Sequence, residues 1–163
     1  MTLHVFSVAL YLGGSLALLV FALRYFLNPT VMPYHLVAMG KRWDELEPGT
    51  RIILLALMRC AAAGYLTTTV AAVWLVIAGV MRHQAWANVA LLVLFVSLLL
   101  PVTLVMLKVR RLTPGRPPVM ASVIGLGATL VAFVCEWLHT FMMPFWFIQY
   151  TLVLSTTMLL GYV

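Results

Sequence analysis

The sequence predicts an all-α fold, a polytopic transmembrane bundle of four to five helices with one short amphipathic cytoplasmic segment. Three observations carry this. The 163 residues are 64% hydrophobic and only 9% charged. A soluble domain of this size cannot hide so much apolar surface, so lipid is the expected solvent. The few charges gather in two stretches, Arg24–Arg51 and Lys108–Arg116, with long apolar runs between them. Those runs are unbroken, unlike the alternating segments of about 10 residues in a membrane β-barrel. Helices are also the element that satisfies its own backbone hydrogen bonds in lipid.

The chain reads as a single domain, 1–163, with spans at about 3–26, 51–81, 85–109 and 118–140. The first uncharged run, Val5–Leu23, ends at Arg24-Tyr25-Phe26, a cation with aromatics of the kind found at membrane interfaces. The N-terminus lacks the basic region and cleavage site of a signal peptide, so this run is expected to be a retained span. Gly13, Gly14 and Ser15 allow close helix approach. Asn28, Pro29 and Pro33 break the helix.

Residues 34–50 form the longest polar connection and hold three of the four acids. Leu36, Val37, Met39, Trp43 and Leu46 recur at roughly helical spacing, which predicts a short segment lying at the interface. Thr50 is the expected N-cap of the second span. Arg59 falls near its membrane boundary, where it snorkels or meets Asp44, Glu45 or Glu47 and so docks the amphipathic segment; a site for a substrate anion is the alternative. Thr67, Thr68 and Thr69 can return their hydroxyls to the helix backbone.

The very short turn Arg82-His83-Gln84 makes the second and third spans antiparallel neighbours. Pro101 is expected to kink the third. The fourth run begins at Val119, and Met142-Met143-Pro144 reads as a break. Phe145–Val163 then has the length of a fifth span, or of an interfacial or partner-packed segment. Five aromatics, Phe141, Phe145, Trp146, Phe147 and Tyr150, mark its start as a surface for lipid, pigment or a partner helix. Cys60 and Cys135 fall near opposite faces of the bilayer and are expected to be unpaired, buried small hydrophobes.

Each charged stretch carries four Lys or Arg, the turn between them one. The positive-inside rule makes loops 24–51 and 108–116 cytoplasmic and the N-terminus external. The basic residues flank apolar runs, so anionic lipid headgroups are the expected partner and nucleic acid is not.

Orientation gives depth. Glu136 lies 17 residues beyond Val119, roughly 25 Å up the fourth span at 1.5 Å per residue. His139 follows on the same helix face. His4 opens the first span and His83 sits in the outer turn. Three of the four histidines and the only acid outside the first loop therefore converge on the outer face. Imidazole and carboxylate suit zinc, copper or iron, so His4, Glu136 and His139, with His83, are the candidate metal ligands. A haem held axially by two histidines such as His4 and His139, a proton-linked or quinone-type site, and ordinary interfacial wetting are the other readings. Met142 and Met143 beside His139 add a thioether pattern suited to Cu(I). A di-iron centre needs two Glu-x-x-His pairs, and there is one. No phosphate-loop, zinc-protease, nucleophile-elbow or paired Cys-x-x-Cys motif is present.

Met32-Pro33-Tyr34-His35, Gly40-Lys41-Arg42-Trp43, Leu46-Glu47-Pro48-Gly49, Ala56-Leu57-Met58-Arg59 and Leu112-Thr113-Pro114 with Pro117-Pro118 resemble a group of small, uncharacterised bacterial inner-membrane proteins with about four helices. The resemblance covers residues up to about 130; it implies a fold and a bacterial membrane location and no activity. Three functions are expected in turn: a non-catalytic accessory subunit packed against other membrane subunits through small-residue faces and the aromatic stretch; a metal, haem or redox protein using His4, Glu136 and His139; and a small transporter built on a parallel two-plus-two repeat, echoed in Arg24–Pro29 and Arg111–Pro114.

Overall fold

The computed structural model describes residues 2–160, with side chains described to Met142. Helix α1 spans Thr2–Leu27, α2 Pro33–Met39, α3 Pro48–Ala78, α4 Ala85–Leu112 and α5 Val119–Leu160, with 3-10 turns at Trp43–Glu45 and Val80–Arg82. Four of these, α1, α3, α4 and α5, are long and apolar enough to cross a membrane. The protein is an all-helical integral membrane protein.

The long helices form an antiparallel bundle. Helix α1 packs on both α3 and α5, and α4 packs on α5 and more lightly on α3. Tyr11, Leu18, Ala22, Ala62, Ala72, Val76, Leu91, Phe95 and Ala132 fill the interior. Small side chains in this set let the backbones approach closely, since lipid offers the helices no hydrophobic incentive to associate. The threonines behave as expected: Thr67 donates to the Ala63 carbonyl at 2.9 Å and Thr69 to that of Tyr65 at 2.9 Å. Thr69 also reaches the Ser15 carbonyl of α1 at 3.3 Å, tying the two helices.

Of the ten Lys and Arg residues, Arg82 alone lies at the end of the bundle that holds the start of α1. At the opposite end the connection between α1 and α3 folds against the bundle. Gly40 caps α2 in the left-handed region (φ 63°). Leu36, Met39 and Trp43 pack on the core and Leu46 is buried. The Arg42 guanidinium bonds both carboxylate oxygens of Asp44 and holds that carboxyl below its usual range. Gly115 fits tightly here, because a Cβ would fall 2.8 Å from both the Ala38 Cβ and the Tyr34 carbonyl oxygen.

Several expectations need correction. Arg59 faces outward and makes no contact with the acids; Arg51 docks the segment instead. Its Nε and an Nη donate to the carbonyls of Leu46 (2.8 Å) and Asp44 (2.7 Å), with the guanidinium over Trp43. Arg51 lies on the first turn of α3, next to the loop, whereas Arg59 is two turns further along and points elsewhere. Helix α3 starts at Pro48 with Glu47 as N-cap, so Thr50 is already inside its first turn. Cys60 is exposed on the outside of α3, not buried, and both cysteines are free. Tyr25 turns inward instead of anchoring at the interface.

The break expected at Met142-Met143-Pro144 does not end the helix, and the run expected as a separate fifth helix continues α5 as far as Leu160. Pro144 gives up one backbone bond, to the carbonyl of Thr140, but the turns on either side keep theirs and carry α5 on. Phe145, Trp146, Phe147 and Tyr150 lie outside the residues whose side chains are described. Helix α4 likewise runs through Pro101.

Candidate metal centre

The first helix places His4, Ser7, Tyr11 and Ser15 at successive three- and four-residue intervals, so all lie on one face. That face meets α5, whose Glu136 and His139 stand one turn apart. The third contributor is the turn between α3 and α4. Gly79 ends α3, a 3-10 turn follows, and His83 sits in the left-handed region (φ 55°) before Gln84 starts α4. The reversal is compact because Gly79 has no side chain: a Cβ there would lie 2.1 Å from that of Ala87.

These elements bring the four sequence-predicted residues together. One donor atom from each of His4, His83, Glu136 and His139 lies within 4.8 Å of every other. The rings are mutual neighbours, with centroids 4.6 Å apart for His4–His83, 5.3 Å for His4–His139 and 5.6 Å for His83–His139. Glu136 is 3% exposed and His139 7%, His4 is half-buried, and His83 is exposed.

A buried carboxylate is costly unless it is neutralised and hydrogen-bonded. His4 Nδ1 lies 3.0 Å from each oxygen of Glu136, and the Ser7 hydroxyl donates to Oε2 at 2.6 Å. The carboxylate is thereby held with one histidine on it and two more alongside. Below it, the Tyr11 hydroxyl donates to Asn88 Oδ1 at 2.6 Å, and Asn88 Nδ2 donates to the Phe133 carbonyl at 3.2 Å. This chain ties α1, α4 and α5 together about two turns beneath His4 and His139 and fixes their spacing. Tyr11→Phe leaves the buried Asn88 oxygen without a donor. It is expected to lower stability by about 1–3 kcal/mol, read as a fall in the thermal midpoint of the detergent-solubilised chain; an unchanged midpoint would show the bond to be incidental.

The four ligand candidates stand at the common depth expected from the sequence, and Ser7, Tyr11 and Asn88, which no sequence motif marks, join them. The i, i+3, i+7 spacing of His4, Ser7 and Tyr11 was the available signal. The other named residues are elsewhere: Arg59 and Trp43 lie toward the opposite end, and Met142 is exposed, so the thioether arrangement suited to Cu(I) gains no support. Met143 lies outside the described side chains.

Three imidazoles and a carboxylate suit a divalent first-row transition ion. Ligands 2.0–2.1 Å from a tetrahedral Zn²⁺ stand about 3.3 Å apart, so the 4.8 Å spread needs only modest closure. His83, exposed on its turn, has the most freedom to supply it. Haem fits less well. The His4 and His139 rings are tilted by 31° and close together, with the third imidazole against both. A macrocycle between axial ligands would have to part all three. The fold and site thus define a polytopic helical membrane protein with a histidine–carboxylate cluster at one end of its bundle. No protein-family model, curated protein or solved structure matches this chain.

Proposed function

We propose that this protein binds a divalent transition-metal ion, with Zn²⁺ the best fit, at the outer end of its bundle through His4, His83, Glu136 and His139. The observation that carries the reading is the convergence of four donor atoms, from three separate parts of the chain, within 4.8 Å. Four protein donors fill a tetrahedral shell, the pattern of a site that holds its ion; a hydrolytic zinc keeps a position open for water. The basic end of the bundle faces the cytoplasm under the positive-inside rule, which puts the cluster on the external side. With the resemblance to small bacterial membrane proteins, this favours the periplasmic face of an inner membrane. The ion would join α1, the α3–α4 turn and α5.

The test is metal titration of the full chain, stripped with a chelator in mild detergent, with Co²⁺ as the spectroscopic ion and Zn²⁺ as competitor. One equivalent per chain is expected, with visible d–d bands that Zn²⁺ abolishes. Ligand at a hundred times its Kd adds about 2.7 kcal/mol of stability, so loading should raise the thermal midpoint by roughly 5–10 °C. Non-saturating uptake, or equal uptake by a His4→Ala, His139→Ala double variant, would sink the reading.

A second reading, an accessory subunit of a larger membrane complex, is favoured by one feature. Gly13 and Gly64 face outward with nothing within 4 Å of where a Cβ would stand, beside exposed Ala61 and Ala63. Such surfaces let a further helix approach closely. Co-purification with other subunits at fixed stoichiometry supports it; a chain that runs alone and monodisperse removes it. The transporter reading draws less support, because the slot inside the bundle is lined mainly by apolar side chains, which offer an ion no solvation.

A further inference from the structure

The opposite end of the bundle holds a second convergence of polar side chains, roughly 27 Å along α1 from Ser7 at 1.5 Å per residue. Tyr25 of α1 meets Tyr65 of α3 edge to face, with centroids 5.9 Å apart. The Tyr25 hydroxyl is bonded to that of Tyr34 in α2, and the Tyr34 and His35 rings lie 4.2 Å apart. These four residues form one side of a cavity of about 290 Å³, with Val102, Val105 and Met106 of α4 opposite. A narrower slot of about 50 Å³ adjoins it inside the bundle, between Gly14, Phe95, Leu99 and Gly125. Tyr65, Val102 and Met106 border both spaces.

The polar groups here have unused hydrogen-bonding capacity. Tyr65 is only 8% exposed, yet its hydroxyl has no hydrogen-bond partner among the described residues. The hydroxyl itself is not sealed off, since no fully buried side-chain oxygen or nitrogen among the described residues is left unpaired, so its proton is free for an acceptor that enters the cavity. The Tyr25–Tyr34 pair has two hydroxyl protons and uses one between them, which leaves one to donate. The ring nitrogens of His35 are also unpaired among the described residues, and burial pushes its pKa down, so the ring presents one N–H and one acceptor at neutral pH. Three donors therefore face one cavity. No Lys, Arg, Asp or Glu lines either space, so nothing there would neutralise a phosphate or carboxylate.

We propose that this end of the bundle binds a neutral, lipid-soluble ring bearing carbonyl oxygens and an apolar tail, the chemistry of a quinone. The carbonyls accept from Tyr65, the tyrosine pair and His35, and the start of the tail enters the slot beside Gly14 and Gly125. The glycines make that slot. A Cβ on Gly14 would meet the Phe95 ring at 3.6 Å, an ordinary contact, whereas a longer side chain would occupy the space itself. Entry is from the lipid, because Pro101 and Val105 at the cavity mouth are exposed on the outside of α4. This inference stands apart from the metal centre at the other end.

The test is calorimetric titration of decylubiquinone into the full chain in detergent, with decylbenzene as the ring-and-tail control that lacks carbonyls. Saturable binding of the quinone is expected, with affinity falling about tenfold in Tyr65→Phe and lost in Gly14→Leu. Ala121→Leu, on the α5 side of the slot, gives the same readout should Gly14→Leu fail to fold. Equal affinity for decylbenzene, an unchanged affinity in Tyr65→Phe, or heat no greater than partition into empty micelles would overturn the proposal. Binding of a phospholipid in preference to the quinone would overturn it too, in favour of a lipid site. Metal uptake measured on the same samples keeps the two proposals separable.

Discussion

Replacement of Glu136 by Leu is expected to abolish metal-dependent stabilisation while leaving the metal-free protein about as stable as before. Glu136 is almost fully buried against His4 and Ser7, so it resembles a structural staple. Buried charged pairs, however, are often replaced by apolar residues at little or no loss, because the desolvation penalty disappears with the charge. The His4 side chain keeps some contact with solvent (16% exposed), and the Ser7 hydroxyl can turn to the carbonyl one turn back. The thermal midpoint of the metal-free variant should thus stay within a few degrees of the parent. Its affinity for Zn²⁺ should fall at least about 100-fold, a loss of about 2.7 kcal/mol, and the 5–10 °C shift on loading should vanish. The conservative Glu136→Gln should behave similarly, since the amide keeps the shape and loses the charge. Collapse of both metal-free variants would instead make the carboxylate structural.

The largest effect on folding is expected at Gly79. A Cβ there would stand 2.1 Å from that of Ala87 and 2.9 Å from the Leu75 carbonyl oxygen. Neither neighbour is the end of a flexible side chain, so α3 and α4 must move apart. Overpacking of this kind costs about 3 kcal/mol, and Gly79→Ala should lower the thermal midpoint by roughly 6–12 °C. The same displacement carries His83 away from the other ligands. Metal affinity should fall in Gly79→Ala even under conditions where the protein is folded, whereas Gly64→Ala, a mid-helix site with open space around it, should leave metal affinity unchanged and hold or slightly raise the midpoint.

Much of this architecture was legible because charge in a membrane protein is confined to the ends. The position of Arg24 and Lys108 fixed where α1 and α4 leave the lipid, and a constant rise per residue then gave Glu136 and His139 the depth of His4. The shortness of the Arg82–Gln84 turn brought His83 to the same level. Helix faces were harder to read. In lipid both the inward and outward sides of a helix are apolar, so the pattern that orients a helix in water is weak. Tyr25 looked like an interfacial anchor and instead turned inward to Tyr34 and Tyr65. Arg51 and Arg59 differ by two turns, and only packing shows which one reaches the loop carbonyls. Pro144 suggests a helix end, yet a single lost backbone bond does not stop α5.

The backbone at His83 sets the local fold against the cluster. It is the single non-glycine residue with positive φ among the described residues, a conformation that costs an ordinary side chain roughly 1–2 kcal/mol. Glycine would take the same turn without that penalty. His83→Gly should therefore raise the metal-free thermal midpoint by a few degrees while weakening metal uptake, with both changes visible in one pair of melting curves. A lower midpoint would show that the imidazole's packing against His4 and His139 outweighs the conformational relief. A gain would make this turn a trade-off: a more comfortable residue is available, and the sequence keeps the imidazole.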